Sequence, residues 1–304
     1  MWNASRVPSR RGFLTTLLGG ATALGTRSTF SAEAPPAADL EIRDFHVEGD
    51  RTLARRFVLC VPKHLGPGER VPLLVLFHGL GETVDERLGA YAWLEKYGLG
   101  TAYDRLRRAP IVRTSARSDW PVGRLAEVNA GLVASPFRGL AIACPFTPNV
   151  NRATSTGAAL DGYTRWIADV LLPRARAEAP VLGDAAHTSI DGCSLGGFVG
   201  LEVFLRRPDL FGAWGGVQSA VASAAAPSYA DRIDKAIARA GTRPLHIESS
   251  AQDPFRAANE ALGAALAQRN IARDLSILPG PHDQPWLREA GTIEMLLWHD
   301  RLPR

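Results

Sequence analysis

The main apolar signal of the chain is the run at residues 71–77, VPLLVLF, which contains no polar side chain. A strand of a parallel sheet is covered by helices on both faces, so it has a continuous apolar run rather than alternation. Five further β-type runs follow, at residues 140–144, 188–191, 213–218, 245–249 and 275–278. This pattern predicts a mainly parallel sheet.

Helical patterns separate several of these runs. Two segments have apolar residues at helical spacing. They are Tyr163, Trp166, Ile167, Val170 and Leu171 in one segment, and Phe255, Ala258, Leu262, Ala265 and Leu266 in the other. A third helix is expected over residues 286–298. Strands that alternate with helices predict an α/β domain of about eight strands with helices on both faces.

Two more β-type runs precede the central strand, at residues 41–47 and 53–61, and turn residues 48–50 separate them. This arrangement predicts an opening hairpin. After the central strand, residues 82–138 form a stretch longer than one crossover helix needs. We expect extra helices there, over the carboxyl ends of the strands, where the site of such a fold must lie.

The first residues resemble an export signal rather than part of the fold. Arg10 and Arg11 stand directly before Gly12, Phe13 and Leu14, and a modest apolar stretch continues to residue 25. This is typical of the twin-arginine signals that carry folded proteins out of the bacterial cytoplasm. We therefore divide the chain into a signal and linker at residues 1–34 and the α/β domain at 35–304, and we expect a periplasmic or secreted protein that the export machinery recognises.

Composition and charge limit the classes of partner that the protein is expected to bind. Apolar residues make up 46% of the chain and charged residues 22%, which is ordinary for a globular protein. Four arginines in the signal account for the net charge of +4, so the rest is near neutral. Nothing here favours nucleic acid as a partner, and no apolar run of eighteen residues predicts a membrane span.

The three cysteines, Cys60, Cys144 and Cys193, have no metal-ligand spacing. Cys60 and Cys144 fall in two strands that we expect to be neighbours. They could form a disulfide in an oxidising compartment or remain two buried thiols. Two buried thiols are the simpler interpretation. Cys193 is interpreted as a space-filling residue.

The candidate nucleophile is Ser194, in the sequence Gly192-Cys193-Ser194-Leu195-Gly196. This matches G-x-S-x-G, and it lies between a β-type run and an apolar helical segment at 198–205, which is the context that a nucleophile elbow needs. The serine of such a turn stands at a helix N-terminus, so the Leu195 N–H is the first candidate oxyanion donor. The loop after residue 77 offers Leu80 N–H as the second, with His78 as a brace for that loop.

In the elbow arrangement the acid and the base follow the serine, in the order Ser, acid, His. The later histidines are His246, His282 and His299. His246 falls within a predicted strand and His299 at the end of a helix. His282 follows the last strand on a short loop, from which its imidazole could reach Ser194, so we predict His282 as the general base.

Asp253 is the predicted acid, because it follows the seventh strand directly before a helix. Its role would be to orient the imidazole and stabilise the imidazolium. As an alternative, Asp253 only caps the helix that begins at Pro254. Glu248 and Asp283 are the next candidates for the acid.

These motifs resemble the bacterial esterase branch of the α/β-hydrolase superfamily, which includes esterase D-like, feruloyl esterase-like, enterochelin esterase-like and antigen 85-like proteins. The likeness spans about residues 53–299. It rests on four motifs, which are 76–79 (LFHG), 191–197 (DGCSLGG), 208–211 (PDLF) and 280–283 (GPHD) followed by Trp286. The resemblance implies hydrolysis of a small-molecule carboxylic ester through an acyl-enzyme on Ser194, with no cofactor and no metal.

The substrate-binding residues are less defined by the resemblance. Trp120, in the inserted stretch, and Trp286, four residues after His282, are candidate pocket residues. Trp286 could equally be buried beneath the last helix. Two alternatives to an esterase stay open, an acyltransferase that uses the same triad and a catalytically silent binding protein on the same fold.

Overall fold

The computed structural model describes residues 38–47 and 53–304. These residues belong to one compact unit. The predicted export signal and the predicted hairpin turn at residues 48–50 lie outside the described residues. Among the residues that are described, no helix is long and apolar enough to cross a membrane.

Eight strands form one mixed sheet in the order β1-β2-β4-β3-β5-β6-β7-β8. They are β1 (Leu40–His46), β2 (Arg56–Pro62), β3 (Leu73–Phe77), β4 (Ala141–Pro145), β5 (Thr188–Gly192), β6 (Ala213–Val217), β7 (Leu245–Gln252) and β8 (Asp274–Pro281). β1 pairs with β2 and β2 with β4 in antiparallel fashion, and every other pair is parallel. The prediction of about eight mainly parallel strands is confirmed.

Eleven α-helices are found in the described part of the chain. They are α1 (Glu86–Ala90), α2 (Ala92–Glu95), α3 (Leu99–Arg107), α4 (Val122–Ala134), α5 (Thr156–Trp166), α6 (Leu172–Glu178), α7 (Leu195–Arg206), α8 (Ala226–Ala240), α9 (Arg256–Ala267), α10 (Gln284–Trp286) and α11 (Thr292–Arg301). The expected final helix is found as α10 and α11, joined by a wider helical turn at residues 287–291.

Successive residues of β3 face opposite sides of the sheet and belong to two separate cores. Leu73, Val75 and Phe77 pack with residues of α5, α7, α8 and α9 on one side. Leu74 and Leu76 pack on the other side with residues of α2, α3, α4 and α11. All five β3 side chains are completely buried, which is the physical reason for the continuous apolar run in the sequence.

The inserted stretch at residues 82–138 forms α1 to α4, but most of these helices do not lie where we expected them. Residues of α2, α3 and α4 are part of the second core, so this stretch builds the helical layer on one face of the sheet. The segment between α3 and α4 reaches the loop after β8, where Arg117 forms an ion pair of 2.9 Å with Asp283. The prediction of helices over the carboxyl ends was therefore wrong for most of the stretch.

Cys60 and Cys144 lie on β2 and β4, which are neighbouring strands as predicted. The two cysteines are two positions out of direct register, because Cys60 faces Ile142 and Cys144 faces Val58. All three cysteines are buried and free.

Candidate active site

Ser194 occupies the turn between β5 and α7. Its φ is 54° and its ψ is −118°, a strained conformation for a residue with a side chain. Glycine is required on both sides of this turn: a Cβ on Gly192 would lie 2.6 Å from the Gly196 carbonyl carbon, and one on Gly196 would lie 2.4 Å from the Phe77 oxygen. The G-x-S-x-G pattern thus corresponds to a strand, a tight turn and a helix.

Backbone hydrogen bonds to neighbouring β6 and to the segment after it hold the turn in place. Ser194 N–H donates to Val217 O at 3.0 Å, and Ala220 N–H donates to Ser194 O at 2.9 Å. Leu195 is the first residue of α7, and its N–H has no hydrogen-bond partner among the described residues. An N–H at this position is one of the free donors of a helix N-terminus and is available to a developing oxyanion.

The loop after β3 lies beside the serine. A Cβ built on Gly79 would be 3.7 Å from the Ser194 Cβ, so the two backbones approach closely. Leu80 comes next, as the first residue of a short 3₁₀ helix at Leu80–Glu82, and it is 48% exposed. The two N–H groups predicted as oxyanion donors therefore belong to segments that meet at Ser194.

His78 is completely buried and braces this loop. Its Nδ1 lies 2.8 Å from Gly79 O, and its Nε2 lies 2.8 Å from Thr147 N, which donates to it. Burial lowers the pKa of His78 to about 4, so the ring is neutral. With Nε2 accepting, Nδ1 carries the proton and donates it to Gly79 O. Both nitrogens are used in structural hydrogen bonds.

His282 and Asp253 are hydrogen bonded at the carboxyl ends of β8 and β7. His282 Nδ1 lies 2.9 Å from Asp253 Oδ1. The His282 side chain is 27% exposed, whereas that of Asp253 is completely buried. Asp253 also accepts from Ser249 Oγ at 2.5 Å and from Phe255 N–H at 3.0 Å. The carboxylate thus holds the ring and also bonds to the backbone at the start of the next helix.

Gln218 bridges from the elbow side of the site to the loop that carries His282. Its Nε2 donates to Ser250 Oγ at 2.6 Å and to Pro281 O at 3.1 Å. Its backbone has a positive φ of 49°. Sequence analysis missed Gln218, because no local pattern marks a glutamine that follows a strand as a bridge between two loops.

No hydrogen bond joins the Ser194 hydroxyl to the His282 ring in this structure. Hydrogen bonds between nucleophile and base are often long in a free enzyme and shorten when substrate binds. The catalytic roles of Ser194, Asp253 and His282 stay a prediction at this point.

The other candidates for the base and the acid lie elsewhere. His246 and His299 both face Asp191, inside the fold. Glu248 is completely buried. Asp283 pairs with Arg117, and its side chain also caps α10 by accepting a hydrogen bond from the Trp286 backbone N–H at 2.8 Å.

The two tryptophans predicted as pocket residues are buried. Trp120 is 1% exposed and Trp286 0% exposed. Their indole N–H groups donate to Glu289 O at 2.7 Å and to Pro279 O at 2.8 Å, respectively. A ring without accessible surface cannot contact a substrate in this conformation, so the prediction that these tryptophans line the pocket does not fit the structure. The alternative for Trp286, an aromatic residue buried near the last helix, does fit it.

Comparison with solved structures gives several matches over most of the chain. A ferulic acid esterase matches with a TM-score of 0.63 and 16% identity, over 87% of this chain and 100% of that one. The feruloyl esterase module from Clostridium thermocellum, complexed with sinapinate, has a TM-score of 0.60 and 14% identity, over 88% and 91% of the two chains. An S-formylglutathione hydrolase from Agrobacterium tumefaciens matches with a TM-score of 0.56 and 17% identity, over 87% of this chain and 96% of that one.

The chain has the α/β-hydrolase fold. At these identities the likeness establishes the fold and leaves the activity to be argued from the site. No protein-family model matches the sequence, and no curated protein matches it.

Proposed function

We propose that this protein is a serine hydrolase that cleaves a small-molecule carboxylic ester. The observation that carries the proposal is the hydrogen bond between Asp253 and His282, at the same edge of the sheet as a serine in a strained strand-to-helix turn. The solved structures that share the fold include feruloyl esterases and S-formylglutathione hydrolases, which supports the assignment.

In the proposed reaction, Ser194 Oγ attacks the ester carbonyl while His282 Nε2 takes the hydroxyl proton. The carbonyl electrons move to oxygen, and this oxyanion accepts hydrogen bonds from Leu195 N–H and Leu80 N–H. When the tetrahedral intermediate collapses, His282 gives the proton to the departing alcohol. Water then repeats the sequence on the acyl-enzyme and releases the acid.

In this scheme Asp253 does not take the proton, and it holds the His282 Nδ1–H. This fixes the tautomer in which Nε2 is free to accept the serine proton, and the negative charge stabilises the imidazolium. The three hydrogen bonds that Asp253 accepts restrict its own position. No cofactor takes part in this scheme.

The test is hydrolysis of p-nitrophenyl esters from acetate to octanoate, with Ser194→Ala and His282→Ala variants. We expect wild-type turnover that falls at least about 10⁴-fold in either variant. His187→Ala is the matched control, because His187 also pairs with an aspartate, Asp184, at 2.7 Å, but at the opposite end of β5. The control variant should keep full activity.

Three outcomes would contradict the proposal. Turnover that survives Ser194→Ala would show that another group is the nucleophile. Folded wild-type protein with no turnover would favour a silent binding protein, and ester formation with an added alcohol in place of hydrolysis would favour an acyltransferase.

We also propose that the chain is exported through a twin-arginine signal and acts in the periplasm or outside the cell. The support is the sequence around Arg10 and Arg11. Fractionation of bacteria that express the full chain should find the protein outside the cytoplasm. An Arg10→Lys, Arg11→Lys double variant should remain inside, and equal export of both proteins would contradict the signal.

A further inference from the structure

A buried carboxylate lies on the same loop as the proposed oxyanion donor Leu80. Glu82 ends the short helix that begins at Leu80, and it is only 6% exposed. One of its oxygens, Oε2, accepts a hydrogen bond from the Tyr97 hydroxyl. The other, Oε1, accepts from Gln284 Nε2 at 3.2 Å, two residues after His282. Glu82 therefore connects the loop after β3 with the loop that carries the proposed base.

Tyr97 lies between α2 and α3 and is 3% exposed. Its ring packs edge-on against Trp93, with ring centroids 5.0 Å apart. Since the single hydroxyl proton goes to Glu82, the oxygen is left as an acceptor, and it receives the Gly79 N–H at 3.2 Å. Burial, together with the nearby Cys193 and Glu82, raises the pKa of Tyr97, so the hydroxyl keeps its proton at any working pH.

Gly79 is consequently held on both of its backbone polar groups. Tyr97 accepts its N–H, and the buried His78 ring donates to its carbonyl. The Gly79 carbonyl and the Leu80 N–H are parts of one planar, trans peptide unit, in which they point in opposite directions. Fixing the carbonyl at His78 therefore fixes the direction of the Leu80 N–H, and Tyr97 prevents the preceding peptide unit from rotating.

We propose that Tyr97 and Glu82 are positioning residues that hold the Leu80 N–H toward the oxyanion formed at Ser194. The inference rests on the proposed esterase function. Donors that are fixed before reaction stabilise a transition state without a cost of reorganisation. Glu82 extends this effect to the base, because Gln284 joins the same carboxylate from the His282 loop.

The decisive comparison is Tyr97→Phe against Tyr103→Phe. Tyr103 is the matched control: it is completely buried, packs edge-on against Phe137 at 5.0 Å and accepts a backbone N–H, that of Leu140, at 3.2 Å. Leu140 directly precedes β4, whose amino end is opposite the proposed site. Each variant loses one buried hydroxyl and leaves one N–H without its acceptor, so both should lower the melting temperature.

Only Tyr97→Phe should impair catalysis. We expect kcat for p-nitrophenyl acetate to fall about 10- to 100-fold, somewhat less than the loss of a whole oxyanion donor, with KM within about twofold. The affinity for a trifluoromethyl ketone, whose tetrahedral adduct places an oxyanion in the hole, should fall by a similar factor. Tyr103→Phe should match wild type in both measurements.

Glu82→Gln provides a second test if Tyr97→Phe does not fold. The amide oxygen can still accept from Tyr97, so kcat should fall less than in Glu82→Ala. Equal kcat in wild type and Tyr97→Phe, or equal losses in both tyrosine variants, would overturn the positioning role while leaving the esterase function intact. A wild-type protein without ester turnover would overturn the proposed function, and this inference with it.

Discussion

Two aspartate–histidine pairs in this protein have the same length and opposite surroundings. His282 Nδ1 lies 2.9 Å from Asp253 Oδ1 at the carboxyl edge of the sheet. His299 Nε2 lies 2.9 Å from Asp191 Oδ2 inside the fold. The His282 side chain is 27% exposed, whereas both side chains of the inner pair are completely buried.

The buried surroundings of the inner pair determine the protonation states of His299 and Asp191. It lowers the pKa of His299, against the opposing effect of Asp191, so the ring is neutral. Burial alone would raise the pKa of Asp191, but the imidazoles of His246 and His299 outweigh it and the pKa is lowered. The inner pair is thus a carboxylate that accepts from a neutral imidazole, and the other ring nitrogen of His299 has no partner among the described residues.

The inner pair supports the backbone before the elbow. Asp191 Oδ1 accepts the N–H of Gly192 at 2.6 Å. The carboxylate also lies over Gly215, where a Cβ would be 1.9 Å from Asp191 Oδ2. A hydrogen bond between aspartate and histidine therefore does not by itself identify a catalytic pair. In the proposed mechanism, access of the second His282 ring nitrogen to Ser194 and to substrate makes the difference.

The largest expected contrast is between Asp253→Asn and Asp191→Asn. Asp253→Asn should lower kcat about 10⁴-fold, because the amide no longer enforces the required His282 tautomer. Asp191→Asn should keep most of the activity of each folded molecule and lower the melting temperature instead. Steady-state kinetics and thermal unfolding of both variants check this. Comparable losses of kcat in the two variants would break the distinction.

His299→Ala should chiefly destabilise the fold. It removes one partner from a buried pair, leaving the Asp191 charge less compensated and a cavity beside it, at an expected cost of about 3–5 kcal/mol in the free energy of unfolding. Urea unfolding measures this cost. His187→Ala, which breaks a surface pair with Asp184, should cost at most about 1 kcal/mol. A similar cost for both variants would mean that burial does not distinguish the pairs.

The buried carboxyl group of Glu248, close to the inner pair, should make the stability of the protein depend on pH. Burial, reinforced by the charges of Glu294 and Asp191, raises the pKa of Glu248 well above its usual value. The folded state then keeps a proton that the unfolded chain loses above about pH 4.3, so this group lowers stability as pH rises. Glu248→Gln cannot ionise in either state. Its stability relative to wild type should increase between pH 4.5 and pH 8 by about 1.4 kcal/mol or more, one pKa unit being worth that much.

Unfolding of the wild type and Glu248→Gln across that pH range measures the difference. A stability difference that does not change with pH would show that Glu248 ionises normally in the folded protein. The inner cluster would then hold more charge than the structure indicates.

The amino-acid sequence by itself determined the local features of this protein. The apolar run of β3 required burial on both faces, and the glycines around Ser194 are required by clashes with atoms of the same turn and of adjacent β3. Such features are readable because the residues that cause them are close together in the chain or repeat with the period of a strand or helix. Placing His282 on a loop after the last strand was possible for the same reason.

Only the tertiary structure decided which distant side chains meet. Asp191 and His299 are separated by 108 positions, and Gln284 and Glu82 by 202. Tyr97 gave no signal in the sequence and Trp286 was a candidate pocket residue, yet Tyr97 accepts the Gly79 N–H beside Ser194 while Trp286 is buried in the core. Contacts between distant residues depend on how helices pack on the sheet. The pattern of apolar residues along the sequence does not show which distant side chain a given residue will contact. Most of the inserted helices were misplaced in our prediction for this reason, since their burial depends on the sheet face that they cover.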